Sequence, residues 1–100
     1  MTAVTVRRAE APLPCPMLYL HDAAALGQWH GAILSAACER GERALTLSCF
    51  PTLAPCDLSE GCAAIAAAVQ DVLSRHSDVE QLTLLCEGDE VFAALSALFV

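Results

Sequence analysis

The sequence predicts an α/β domain of the three-layer α/β/α class with a mostly parallel sheet. Three observations lead there. Apolar runs at Met17–His21, Ala44–Phe50 and Gln81–Cys86 are each followed by a turn signal and then a segment of helical periodicity. Strands separated by helices need crossover connections, and crossovers make neighbouring strands parallel. The second run is almost continuously apolar, as a strand covered on both faces would be. The 100 residues are 56% hydrophobic with only 5% aromatic, which suits alanine-rich helices lying close on a sheet within one small domain.

In chain order, Thr2–Val6 reads as a short β-branched strand or an extension, so residues 1–12 stand apart from a main domain at 13–100. Pro12, Pro14 and Pro16 make an extended connector. Met17–His21 is the first strand of the main domain. Asp22 offers an N-cap to a helix over Ala23–Arg40, and Gly41 ends it. Leu26, Trp29, Ile33, Leu34 and Ala37 are its inward stripe, with His30 beside Trp29 partly exposed. Ala44–Phe50 is the second strand, broken by Pro51–Pro55. Asp57 and Glu60 have capping-box spacing for a helix over Leu58–His76, with Leu58, Cys62, Ile65, Val69, Val72 and Leu73 inward. Gln81–Cys86 is the third strand. Gly88 and Asp89 open a last helix with Val91, Phe92, Leu95, Leu98 and Phe99 inward.

Composition narrows the function. Net charge is −7, lysine is absent, and Arg7, Arg8, Arg40, Arg43 and Arg75 form no cluster beyond the first pair. Phosphate neutralisation has no basis here, so nucleic acid is not an expected partner. No run approaches the ~20 apolar residues of a membrane span, and residues 1–16 have no secretory pattern. Cys15, Cys38, Cys49, Cys56, Cys62 and Cys86 match no zinc-module spacing, and the default compartment is reducing, cytoplasm or nucleus. The high apolar fraction leaves surface for a protein partner or a homo-oligomer.

Taken in order, several phrases resemble the carboxyl-terminal part of a macro domain. LPCPMLYLH at 13–21 is similar to that family's Leu-Pro pair before a strand ending in Ile-His. ALTLSCFP at 44–51 is similar to its next strand, which ends in Phe-Pro. LSEGCAAIA at 58–66 resembles the helix that follows, and Val79–Leu98 the last strand and helix. The likeness spans 13–100 and about the second half of the family's pattern. It implies a truncated macro-domain-like fold, with ADP-ribose or an ADP-ribosylated protein as ligand. By position, Thr52, Leu53 and Ala54 would form the remnant phosphate loop, with Cys86 and Glu87 near the ribose and adenine. The family also places a strand between the first two strands of the main domain. Thr2–Val6 fills that role, or the sheet is rearranged or completed by a partner.

The residues themselves oppose strong pyrophosphate binding. The family's glycine-rich second loop is replaced by Thr52-Leu-Ala-Pro-Cys-Asp57, and Pro55 removes a backbone donor. The loops at the strands' carboxyl ends contain Asp22, Asp57, Glu60, Glu87, Asp89 and Glu90 and no Arg. Capping explains most of these one by one, yet together they repel a dianion. A metal site from His21, Cys49, Cys56, Asp57 and Cys86 is disfavoured because strand side chains alternate faces. No motif sets a base beside a thiol, although Cys56 lies near a helix N-terminus. No catalytic residue, metal ligand or cofactor is assigned. The reading is a degenerate macro-domain-like binding or interaction module, more non-catalytic than enzymatic, with weak or lost ADP-ribose recognition. The alternatives are an ADP-ribosyl hydrolase that retains activity, and a structural module completed by a partner chain.

Overall fold

The computed structural model describes residues 2–99. Three parallel strands form one sheet, with three helices between and after them: β1 (Ala3–Arg8), α1 (Ala23–Glu39), β2 (Ala44–Ser48), α2 (Leu58–Arg75), β3 (Gln81–Cys86) and α3 (Asp89–Leu98). The strand order is β1-β3-β2. This is the small α/β fold expected, consistent with a three-layer α/β/α arrangement.

Local chemistry sets the helix limits. The Asp22 carboxylate accepts the Ala25 N–H at 2.9 Å, and α1 stops where Gly41 takes φ +80°, a left-handed turn that glycine enters without steric cost. Asp57 caps α2 by accepting the Glu60 N–H at 2.8 Å. Leu26, Leu34, Cys62, Ile65, Val69, Leu82, Leu84, Cys86 and Leu95 meet in one buried core.

Met17–His21 is not a strand. Its only backbone bond among the described residues is from Leu20 N–H to Leu53 O at 2.8 Å, while Met17 and Tyr19 are 103% and 74% exposed. An apolar run becomes a strand only with a ladder to join, and here none is beside it. The first strand is instead the amino-terminal one, extended to Arg8. It pairs on the far side of β3 from β2, in register from Ala3↔Gln81 to Arg8↔Cys86, so it does not fill the position the resemblance reserves for it.

The inward faces also differ in detail. β2 alternates, with Leu45 and Leu47 buried but Ala44 and Thr46 exposed, so it is not covered on both faces. On α1 the buried stripe is Leu26, His30, Leu34 and Cys38, with Gly27 and Gly31 turned to α2. Ile33 and Leu98, both expected inward, are 43% and 41% exposed. The helix α2 matches its expected stripe, with Cys62, Ile65, Val69 and Val72 buried and Leu58 and Leu73 packed at the core's margin.

Candidate functional site

In a parallel sheet the ligand-bearing loops leave the strands' carboxyl ends. Here these are the connector after β1, residues 49–57 after β2, and residues 87–88 after β3. A pocket of about 240 Å³ lies among them, lined by Cys15, Cys49, Phe50, Pro51, Thr52, Glu87 and Val91. It is smaller than the ~300–1,000 Å³ usual for small-molecule sites.

The structure brings together only part of the implied ligand set. Thr52 is exposed at the pocket with Glu87, whereas Leu53, Ala54 and Cys86 are buried. The backbone around the remnant loop is engaged in part. Leu53 N–H donates to Phe50 O at 3.3 Å and Cys56 N–H to Ala54 O at 2.9 Å. Two of the first-turn donors of α2 are held by Asp57, through its carboxylate to Glu60 N–H and its carbonyl to Gly61 N–H. Glu87 accepts from the Leu13 N–H and ties the connector to the end of β3.

The loop is clamped from below by His30, which sequence reading placed at partial exposure. The side chain is 0% exposed. Its Nε2 accepts the Phe50 N–H at 3.0 Å, so the ring proton sits on Nδ1, which donates to Leu26 O at 2.8 Å. Burial pulls the imidazole below its usual 6.5, and the bond to Leu26 offsets part of that. Trp29 stacks edge-on to this ring at 4.9 Å and faces Phe50 at 6.4 Å. The signal was present in the spacing: residue 30 is four from Leu26 and four from Leu34, on the core stripe.

The charge at this edge is mostly negative, with one correction. Because β1 runs to Arg8, an arginine does stand at the rim. Arg8 pairs with Asp89 and lies 5.3 Å over the Phe92 ring, spending its charge within the chain. Around Cys56, burial and the Glu60, Asp57 and Asp22 carboxylates all raise the thiol pKa, opposing the lowering a helix N-terminus gives. Burial, with Cys86 and Cys62 nearby, pushes the Cys49 thiol up to about 12. These are poor nucleophiles at neutral pH. No group of three or more His, Cys, Asp or Glu side chains among the described residues could hold a metal ion.

A larger concavity than this pocket lies elsewhere. An open groove of about 540 Å³ runs between α1 and α2 over Gly27, Gly31, Ala64, Ala68 and Val72. Small residues explain it: a methyl on Gly27 would sit 2.9 Å from Ala64 O, so the helices touch at their backbones.

The fold and edge define an α/β domain with an all-parallel three-stranded sheet and a small pocket at its carboxyl edge, lined by one carboxylate, Glu87. No family model, curated protein or solved structure matches the chain.

Proposed function

We propose that this domain is a non-catalytic binding or interaction module of macro-domain-like build, with weak or lost ADP-ribose recognition. One observation carries the reading: in the segment after β2, where a phosphate loop would lie, the Leu53 and Cys56 N–H groups are bonded within the segment, and carboxylates surround it. A pyrophosphate needs free N–H groups converging on it and a field that tolerates its charge. Across Thr52, Leu53 and Ala54 the middle N–H is already bonded to Phe50 O, Pro55 follows without a donor, and the nearby carboxylates oppose a dianion. Thr52 and Glu87 are what remains to contact a ribose or an ADP-ribosylated protein. A hydrolase would first need affinity that this edge does not favour.

A second observation supports partner completion. The outer edge of β2 has no ladder neighbour among the described residues, and Met17, Leu18 and Tyr19 stand exposed nearby in sequence to α1. Unpaired strand edges are templates for another chain. The six cysteines stand as free thiols, which fits a reducing compartment, cytoplasm or nucleus. No described helix is long and apolar enough to cross a membrane.

Calorimetric titration with ADP-ribose, with AMP as control, tests the reading. The expected result is no heat from folded protein up to about 1 mM ligand, a limit near −4 kcal/mol of binding energy. Saturable micromolar binding of ADP-ribose alone would overturn it.

A further inference from the structure

We infer that His30 is an acid-sensitive latch: proton uptake at its Nε2 releases the Phe50 N–H and lets the segment after β2 open, while the sheet and helices stay formed. The consequence for binding rests on the reading of the carboxyl edge as the interaction site, because Phe50, Pro51 and Thr52 line the pocket there.

Both ring nitrogens are committed. Nδ1 donates to Leu26 O at 2.8 Å, and Nε2 accepts the Phe50 N–H at 3.0 Å. A second proton goes only to Nε2, which turns from acceptor to donor. Two N–H groups then face each other at the distance of one hydrogen bond. The ring is closed to solvent, so the new proton has no acceptor while the segment stays in place. Moving Phe50 away removes the clash and admits water to the imidazolium.

Nothing ionised is buried with the ring to change this balance. The helix α1 packs on α2 and β2. β2 has no ionisable side chain, and Cys49 just beyond it is a thiol that burial pushes up to about 12. On α2 the buried titratable group is Cys62, also raised by burial and neutral in acid. Glu60, Asp71 and Arg75 of α2 are exposed, as are Asp57 in the segment and Asp22 and Glu39 at the ends of α1. Cys38, buried on α1, and Cys56, half-buried in the segment, are thiols with raised values.

The segment is lightly tied. Among the described residues, hydrogen bonds join 50–56 to the rest of the chain at two points, Phe50 N–H to His30 and Leu20 N–H to Leu53 O. The bonds from Leu53 N–H to Phe50 O and from Cys56 N–H to Ala54 O are internal and move with it. Buried Leu53 and Ala54 hold it closed near neutral pH. β2 keeps its own ladder, to which Cys49 N–H adds a bond to Leu85 O at 2.9 Å. Losing one of two ties lowers the cost of opening the segment and leaves the ladder intact, so the opening is local. The sign is fixed: the closed ring holds a proton less readily than 6.5, chiefly through burial, and the open ring returns to that value. Acid therefore favours the open form.

Amide hydrogen exchange on the full chain between pH 7.5 and 5.5 is the test, each rate corrected for the intrinsic pH dependence of exchange. Opening at Phe50 and Leu53 is expected to rise about tenfold across that range, the factor for one proton held by the open form with a pKa of 6.5. At pH 5.5 both amides are expected to open about tenfold or more above the β3 amides, with circular dichroism unchanged. Opening at Phe50 that is flat with pH overturns the latch. So does equal opening of the segment and β3, since the release would then be global unfolding. In His30→Gln the rise is expected to vanish; a rise that persists assigns the effect to Asp57 or Glu60 and overturns the latch as well. Should that variant not fold, the wild-type comparison of Phe50 and Leu53 with β3 decides. Exchange needs no ligand, so the two readings fail separately: micromolar ADP-ribose heat sinks the functional reading alone, and flat exchange sinks the latch alone.

Discussion

β1 and β2 flank the same central strand, but their sides of the molecule are held by different physics. On the β2 side the fittings are buried. His30 sits between Leu26 O and Phe50 N–H, and Gly61 lets the start of α2 press on the loop, where a methyl would lie 2.7 Å from Pro51 O. On the β1 side they are exposed. Arg8 pairs with Asp89 and covers Phe92 with both charged groups mostly in water. Buried, saturated polar contacts are costly to break, and exposed ion pairs contribute little. The β2 side therefore carries the stability, while the β1 side carries charge that keeps an open edge from pairing.

Removing the clamp breaks the comparison most severely. His30→Ala leaves Phe50 N–H and Leu26 O facing a void and is expected to cost about 2–4 kcal/mol in chemical denaturation. Gly61→Ala forces α2 off the loop and is expected to cost about 1–3 kcal/mol. Neither has a counterpart on the β1 side, so an equal loss from Arg8→Ala would refute the contrast.

The same clamp gives a pH signature. His30 has a folded pKa below its unfolded value of 6.5, because the buried ring has no partner for a second proton. Below about pH 6.5 the unfolded chain takes up a proton that the folded one refuses, so stability falls as pH falls. Above that value this contribution is fully present and flat. The slope attributable to His30 is at most about 1.4 kcal/mol per pH unit, and a folded His30→Gln should lose it. Denaturant midpoints between pH 7.5 and 5.5 measure it directly; matching slopes in the two proteins would contradict the burial.

Changes on the β1 side are smaller in stability and larger in solution behaviour. Arg8→Ala is expected to cost about 1 kcal/mol or less, for one exposed pair and one cation–π contact. Asp89→Asn should shift stability by less than about 0.5 kcal/mol, with thermal melts as the check. Replacing Arg7 and Arg8 together by valine makes β1 resemble β2. Light scattering should then rise with concentration, since the charge guarding that edge is gone.

Much of the chain could be read from residue order. The limits of α1 and α2 came from Asp22, Gly41, Asp57 and the 3.6-residue spacing, all local effects. The third strand and the acidic edge were equally legible. Other features depended on neighbours. Met17–His21 has the composition of a strand, but the open edge of β2 has no bond to it. Thr2–Val6 looked marginal until β3 supplied its ladder through Arg8, which also placed an arginine at a rim expected to have none. Sequence alone leaves His30 partly exposed beside Trp29, whereas its position between Leu26 and Leu34 puts it in the core. Of the five implied ligand residues, only Thr52 and Glu87 meet at the pocket; whether a loop side chain turns outward is decided by what packs behind it.

The sequence by itself determined the α/β class, the helix limits, the alternation that makes the sheet parallel, and the acidic, glycine-free loop after β2. These follow from propensity, capping and hydrophobic period, each acting within a few residues. Only the tertiary structure decided which apolar runs found a ladder, that β3 lies between β1 and β2, and that His30 is a buried clamp. Strand pairing and the satisfaction of buried polar groups are contacts between residues distant in the chain, and periodicity carries no information about partners.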